Sequence, residues 1–219
     1  MKTIFFDTET TGLNSYSCQI IELSMITVID GETVEEYDKF VRYDGLLPER
    51  IVSLTGITDK LLREEGVDEK VIAEDLKERL SEGTLMIAHN CQFDLSFIYN
   101  LLRKYYPNAA DEIVESLNWL DSLTVLKDRK DFPHKLIDAA EHYDIEYVNF
   151  HRGIDDTIAL INVVREMRKE RDDLKEYINI FGYNPKYGVQ GKRFGFIEYK
   201  KQYYHNKGFL PSLEILPRK

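Results

Sequence analysis

The stretch IFFDTETTG, from Ile4 to Gly12, limits the possible folds more than any other part of this chain. Ile4, Phe5 and Phe6 form a continuous apolar run, the mark of a strand covered on both faces. Asp7 and Glu9 then stand where a buried strand would carry further apolar residues. Side chains alternate faces along a strand, so residues two apart point the same way and the sheet brings both carboxylates to one place. Two such anions repel each other and are costly to desolvate unless a cation sits between them. Mg²⁺ suits that position, since it takes hard oxygen ligands, commonly one or two carboxylates with water and phosphate oxygens. Taken alone, Asp7 also suits a turn-capping role ahead of Gly12.

The 219 residues, 43% of them apolar, are enough to bury one sizeable core. Cys18 and Cys91 lie in no CxxC pair and no zinc spacing, so a reducing, cytoplasmic setting is expected. The apolar run behind Lys2 is far shorter than a signal-peptide core, and no segment approaches the roughly 20 apolar residues that span a bilayer. A soluble protein without a membrane partner is the expectation. The net charge of −10 argues at first against a polyanionic partner. That charge is uneven, however: residues 186–219 hold eight Lys/Arg against Glu198 and Glu214, a net +6, and the rest of the chain carries −16.

Pattern and turn chemistry predict strands near 2–7, 19–29 and 33–42, the last two joined by Asp30-Gly31, a strong hairpin signal. Short helices follow near 48–54 and behind Thr58, the latter ended by Gly66. Asp68 caps another helix, with Val71, Ile72, Leu76 and Leu80 at helical spacing and Gly83 as its stop. TLMIAH reads as a buried strand and residues 93–104 as an amphipathic helix. WLDSLTVL fits strand or helix, and HKLIDAAEHYDI and DDTIALINVVREMRKERDDL read as helices. Strands first, then strand and helix in alternation, make an α/β fold with a mixed sheet covered by helices. The texture changes near residue 179, where basic residues are interleaved with Tyr187, Phe194, Phe196, Tyr199, Tyr203, Tyr204 and Phe209. Residues 1–178 are therefore expected to form the main domain and residues 179–219 a small basic, aromatic-rich appendage. That appendage suits a platform for single strands, a docking element for a partner protein, or simply a cover for an apolar flank.

Two further acidic stretches accompany the first. HNCQFDLSF puts Asp94 at a helix start and HRGIDDT puts His151 five residues before Asp156; alone, each also reads as an ordinary helix beginning. Taken in order, FFDTETTGL, AHNCQFDLSFI and HRGIDDTIAL resemble the three motifs of the DEDD exonuclease superfamily, in its histidine-bearing, DnaQ-like subgroup. That group includes proofreading 3′–5′ exonucleases such as the epsilon subunit of bacterial DNA polymerase III, as well as RNA-trimming relatives. The resemblance covers roughly residues 2–170 and extends to LTGITDKLL at 54–62.

The resemblance implies an RNase H-like fold with a five-stranded mixed sheet, three antiparallel strands first and then parallel ones. It implies that Asp7, Glu9, Asp94 and Asp156 hold two divalent cations, Mg²⁺ or Mn²⁺, in the arrangement that serves in-line displacement at phosphorus. His151 is then the catalytic general base, its ordinary pKa of about 6.5 lying near working pH. The family's spacing selects Asp156 over Asp155, which is left as a helix cap. By the same resemblance Thr10, Thr11, Gly12 and Leu13 hold the terminal nucleotide, Asn90 and Phe93 contact sugar or base, and Thr55, Gly56 and Ile57 close over the terminal base. The expected activity is 3′–5′ hydrolysis of single-stranded or frayed DNA with release of nucleoside 5′-monophosphates, in proofreading or repair, beside a DNA polymerase or another replication protein. The alternatives are an exoribonuclease acting on RNA or short oligonucleotides and, behind it, a non-catalytic polymerase adaptor. A calcium loop is excluded, since no D-x-[DN]-x-[DN]-G stretch occurs.

Overall fold

The structure, a computed structural model, describes residues 1–146 and 153–203. Its first three strands are β1 (Lys2–Thr10), β2 (Ile20–Ile29) and β3 (Glu32–Phe40). They pair antiparallel, and Asp30 and Gly31 between the last two take φ of 51° and 93°. Positive φ at both central residues is what a two-residue hairpin with strand-matched twist requires. Three short helices follow: α1 (Glu49–Thr55), α2 (Asp59–Glu65) and α3 (Glu69–Arg79). The Thr58 side chain accepts from Leu61 N and that of Asp68 from Lys70 N, the N-cap bonds their residue types predict.

Strand β4 (Leu85–Ala88) then lies parallel to β1, and α4 (Cys91–Tyr105) and α5 (Ala110–Glu115) lead to β5 (Asn118–Asp121), parallel to β4. The sheet order is β3-β2-β1-β4-β5. The ambiguous stretch 119–126 is both predicted elements in succession, because α6 (Ser122–Arg129) starts directly behind β5 with Asp121 as its cap. Helices α7 (Leu136–His142) and α8 (Gly153–Glu170) come next, then a 3₁₀ turn at Leu174–Tyr177 and a two-stranded parallel ladder of β6 (Ile180–Tyr183) and β7 (Glu198–Lys201).

The sheet divides the interior in two. On one side Ile4 and Phe6 of β1 pack with Leu95, Ile98 and Leu102 of α4, and Phe6 meets Trp119 edge-on at 6.1 Å. On the other, Phe5 packs with Leu160, Ile161 and Val164 of α8. Phe181, Phe194 and Ile197, from the segment around β6 and β7, are buried in the α4-side cluster. Alternation along β1 therefore turns the odd-numbered residues toward α8 and the even-numbered ones toward α4.

Candidate active site

That alternation positions the acids. Asp7 and Glu9 follow Phe5 at steps of two and project from the α8 face, where Asp156 stands in the first turn of α8. Carboxylate oxygens of Asp7, Glu9 and Asp156 lie within 4.8 Å of one another. Strand β1 runs past the predicted end at residue 7 because β2 keeps pairing with it through Asp7↔Ser24 and Glu9↔Glu22, up to a bulge between Glu9 and Thr10. The sheet itself thus holds both carboxylates.

Asp94 arrives from the opposite layer, in the first turn of α4, and is buried. Thr8, which faces α4, grips it: the Thr8 backbone N–H and hydroxyl donate to Asp94 Oδ1 at 3.1 and 2.6 Å. The structure gathers Asp7, Glu9 and Asp156 into one trio and sets Asp94 beside it, close enough for its charge to act on Glu9. Of the two adjacent acids on α8, Asp156 joins the trio. His151 lies outside the described residues.

Burial and mutual repulsion shape the electrostatics. Loss of water pushes Asp7 up to about 6. Burial, reinforced by Asp7, Asp156, Glu22 and Asp94, pushes Glu9 up to about 9. Burial and Asp7 raise Asp94 well above the usual carboxylate range against the two Thr8 bonds. The charges that act most strongly on Glu9 are all carboxylates. A concentrated set of hard oxygen donors, mutually repelling and partly desolvated, fits divalent cations of the Mg²⁺ or Mn²⁺ type.

Two acids of this neighbourhood are absent from the sequence expectations. Glu22, 1% exposed, faces Glu9 across the ladder, and its Oε2 accepts from Gly153 N at 3.3 Å, which ties the start of α8 to β2. Its signal is a carboxylate inside the apolar run IIELS. Asp121, at the end of β5, accepts from Asn90 N, Cys91 N, Leu123 N and Thr124 Oγ1 at 2.7–3.1 Å. It thereby fixes the beginning of α4, and with it Asp94. No sequence pattern marks that role, since the four donors come from two segments about 30 residues apart.

The expected substrate contacts are distributed unevenly. Thr10 is buried with its hydroxyl on Gly12 O, and Thr11 is tied to Gln19 through both its N–H and its hydroxyl. Gly12 is needed for space, because a Cβ there would meet Cys18 Sγ at 2.8 Å. Leu13 is 70% exposed and lines a cavity of about 300 Å³ together with half-buried Phe93. Asn90 is exposed in the left-handed conformation at φ 71°. Of the 55–57 stretch only Gly56 is exposed. The Thr55 hydroxyl is taken up by Ile51 O and Ile57 N, and the Ile57 side chain packs with Ile21, Leu47 and Leu62. His89 engages both ring nitrogens, with Ser122 Oγ and His134 O each at 2.9 Å, and burial pushes the Cys91 thiol up.

Comparison with known proteins gives the family and the fold. Residues 4–164 match the exonuclease family RNase T. Curated relatives include the PolC-type DNA polymerase III of Halalkalibacterium halodurans, 32% identical over 176 residues, and that of Staphylococcus haemolyticus, 31% identical over 171. These alignments take in 78% and 76% of this chain but only 12% of either relative, so the chain spans a small fraction of their length. Among solved structures, E. coli exonuclease I in complex with a dT13 oligonucleotide has the same fold, with a TM-score of 0.71 at 20% identity over 80% of this chain and 43% of that one. With residues 4–164, about three quarters of its length, matched by the family model, the chain belongs to the RNase T exonuclease family, the DEDD group that its three acidic motifs resemble.

Proposed function

We infer that this chain is a metal-dependent 3′–5′ exonuclease that hydrolyses the terminal phosphodiester of single-stranded or frayed DNA and releases nucleoside 5′-monophosphates, in proofreading or repair. The observation that carries the reading is the meeting of Asp7, Glu9 and Asp156 within 4.8 Å, with Asp94 held beside them by Thr8. These four acids hold the cations. Two Mg²⁺ or Mn²⁺ ions there supply a lowered pKa for the attacking water and charge stabilisation for the leaving 3′-oxygen.

The chain's own residues do the rest. His151 takes the proton of the attacking water, a task suited to a group titrating near neutrality. Leu13 and Phe93, on the wall of one cavity, receive the terminal base, and exposed Asn90 reaches the sugar. Gly56 lets the backbone close over the base. The names of the PolC-type relatives and the oligonucleotide bound to exonuclease I support a DNA substrate and a polymerase as partner.

Matched 5′-labelled DNA and RNA 12-mers, incubated with Mg²⁺, Mn²⁺ or EDTA, test this. A DNA ladder shortening one nucleotide at a time from the 3′ end, abolished by chelator, is the expected result. Internal cleavage, loss of the 5′ label first, or faster degradation of RNA would overturn it.

A further inference from the structure

The family match ends at residue 164, yet the cavity beside Leu13 and Phe93 is closed by Gln190 and Gly191, from the loop between β6 and β7. Gln92, next to Phe93 and two residues before Asp94, anchors that loop. Its side-chain amide donates to Gln190 O and Lys192 O at 2.7 and 2.9 Å, and its carbonyl accepts from the Tyr199 hydroxyl at 2.8 Å. Gly191 adopts φ +71°, and a Cβ there would come within 2.7 Å of Ser96 Oγ, so the loop backbone lies directly on α4. The helix that positions Asp94 therefore also fixes one wall of the cavity.

The outer side of this loop carries exposed cations and an exposed aromatic ring. Between residues 184 and 197 there is no acid, in a chain whose net charge is −10. Tyr187 is 68% exposed with Lys186 Nζ 5.2 Å from its ring centre, and the exposed Arg193 guanidinium lies 4.6 Å from the Tyr199 ring centre. Lys192 is committed to Asp111 and Tyr99, which leaves Lys186 and Arg193 as the outward cations. Exposed aromatic faces with neighbouring cations are the means by which proteins hold single strands without reading sequence.

We propose that loop 184–193 is a strand track for the nucleotides 5′ to the terminal one: a base stacks on Tyr187, and Lys186 and Arg193 meet the phosphates. The track rests on the exonuclease reading, which supplies the direction of the strand. It also gives an otherwise acidic chain a local site for a polyanion.

The test compares dithymidylate with octathymidylate, since a dinucleotide extends no further than the nucleotide next to the terminal one, whose base the cavity wall of Gln190 and Gly191 already meets. Tyr187→Ala, and Lys186→Ser with Arg193→Ser, are expected to lower kcat/KM on the octamer about tenfold more than on the dimer, the loss of roughly one stacked base. Equal losses on both lengths would show a merely structural role and overturn the track. No loss on either would overturn it too, in favour of a surface for a protein partner. Anisotropy of 5′-fluorescein octathymidylate with Ca²⁺ separates this from the catalytic reading. If the wild-type chain cleaves neither strand, the exonuclease reading fails, and binding alone then decides: a tenfold weaker Kd in the variants keeps the track, and an unchanged Kd removes it.

Discussion

Without a cation, Asp7 and Glu9 favour their protonated forms, one up to about 6 and the other up to about 9, against ordinary values of 3.8 and 4.5. The folded chain then holds protons that the unfolded chain has released, so stability present below about pH 4 falls as pH rises through 6 and then 9. On the proposed function, cations at the site would relieve that loss by binding the ionised acids. Thermal melts in EDTA should therefore show Tm falling from pH 5 to pH 9, with Mn²⁺ raising Tm more at pH 9 than at pH 5. A pH-independent Mn²⁺ shift would contradict this. Thr8 supplies a second test at the same scale. Its hydroxyl holds Asp94 at 2.6 Å, and outer partners of metal-binding groups typically contribute 10–100-fold to affinity or activity. Thr8→Val keeps the shape and the backbone bond, so a loss of about that size in kcat/KM is expected, and unchanged kinetics would place Asp94 outside the reaction.

At the scale of elements, the site depends on where strands stop and helices begin. Asp121 ends β5, starts α6 and holds the first turn of α4, four donors on one buried carboxylate. Removing it leaves N–H groups without partners, so Asp121→Ala should cost on the order of 3 kcal/mol in denaturant unfolding and loosen α4. A cost under about 1 kcal/mol would mean that water replaces the carboxylate freely. These junctions were only partly legible in the sequence. The Asp30-Gly31 hairpin and the caps at Thr58 and Asp68 follow from local chemistry and stand where the residues predict. The persistence of β1 through Thr10 follows from pairing with β2, a long-range term that no window of neighbouring residues contains. The split of 119–126 into strand and helix has the same origin: β5 stops where the parallel ladder with β4 stops, at Ala88↔Asp121. The acids were visible because Asp7 and Glu9 break an apolar pattern. Glu22 and Asp121 were missed because each acts on a distant backbone N–H.

At the scale of the whole molecule, the segment from 180 to 203 shares the interior of the main sheet. Phe181, 1% exposed, packs in the α4-side cluster, and Gln202 donates to Thr124 O behind β5. The aromatic, basic texture of this stretch in the sequence does not separate a flank cover from a binding surface, since both need aromatics. The structure divides the labour: Phe181, Phe194 and Ile197 turn inward, and Tyr187 and Arg193 stay exposed. Phe181→Ala should cost about 3–5 kcal/mol, as for other buried aromatics, with one cooperative transition. Two separate transitions would contradict a shared core.

The proposed function rests above all on the gathered acids binding a pair of divalent ions. Electron paramagnetic resonance of Mn²⁺, with thymidine 5′-monophosphate present as product, counts the ions bound per chain in the wild type and in Asp7→Asn. Two in the wild type and at most one, weakly held, in the variant is the predicted result. The same stoichiometry and affinity in both chains would contradict it.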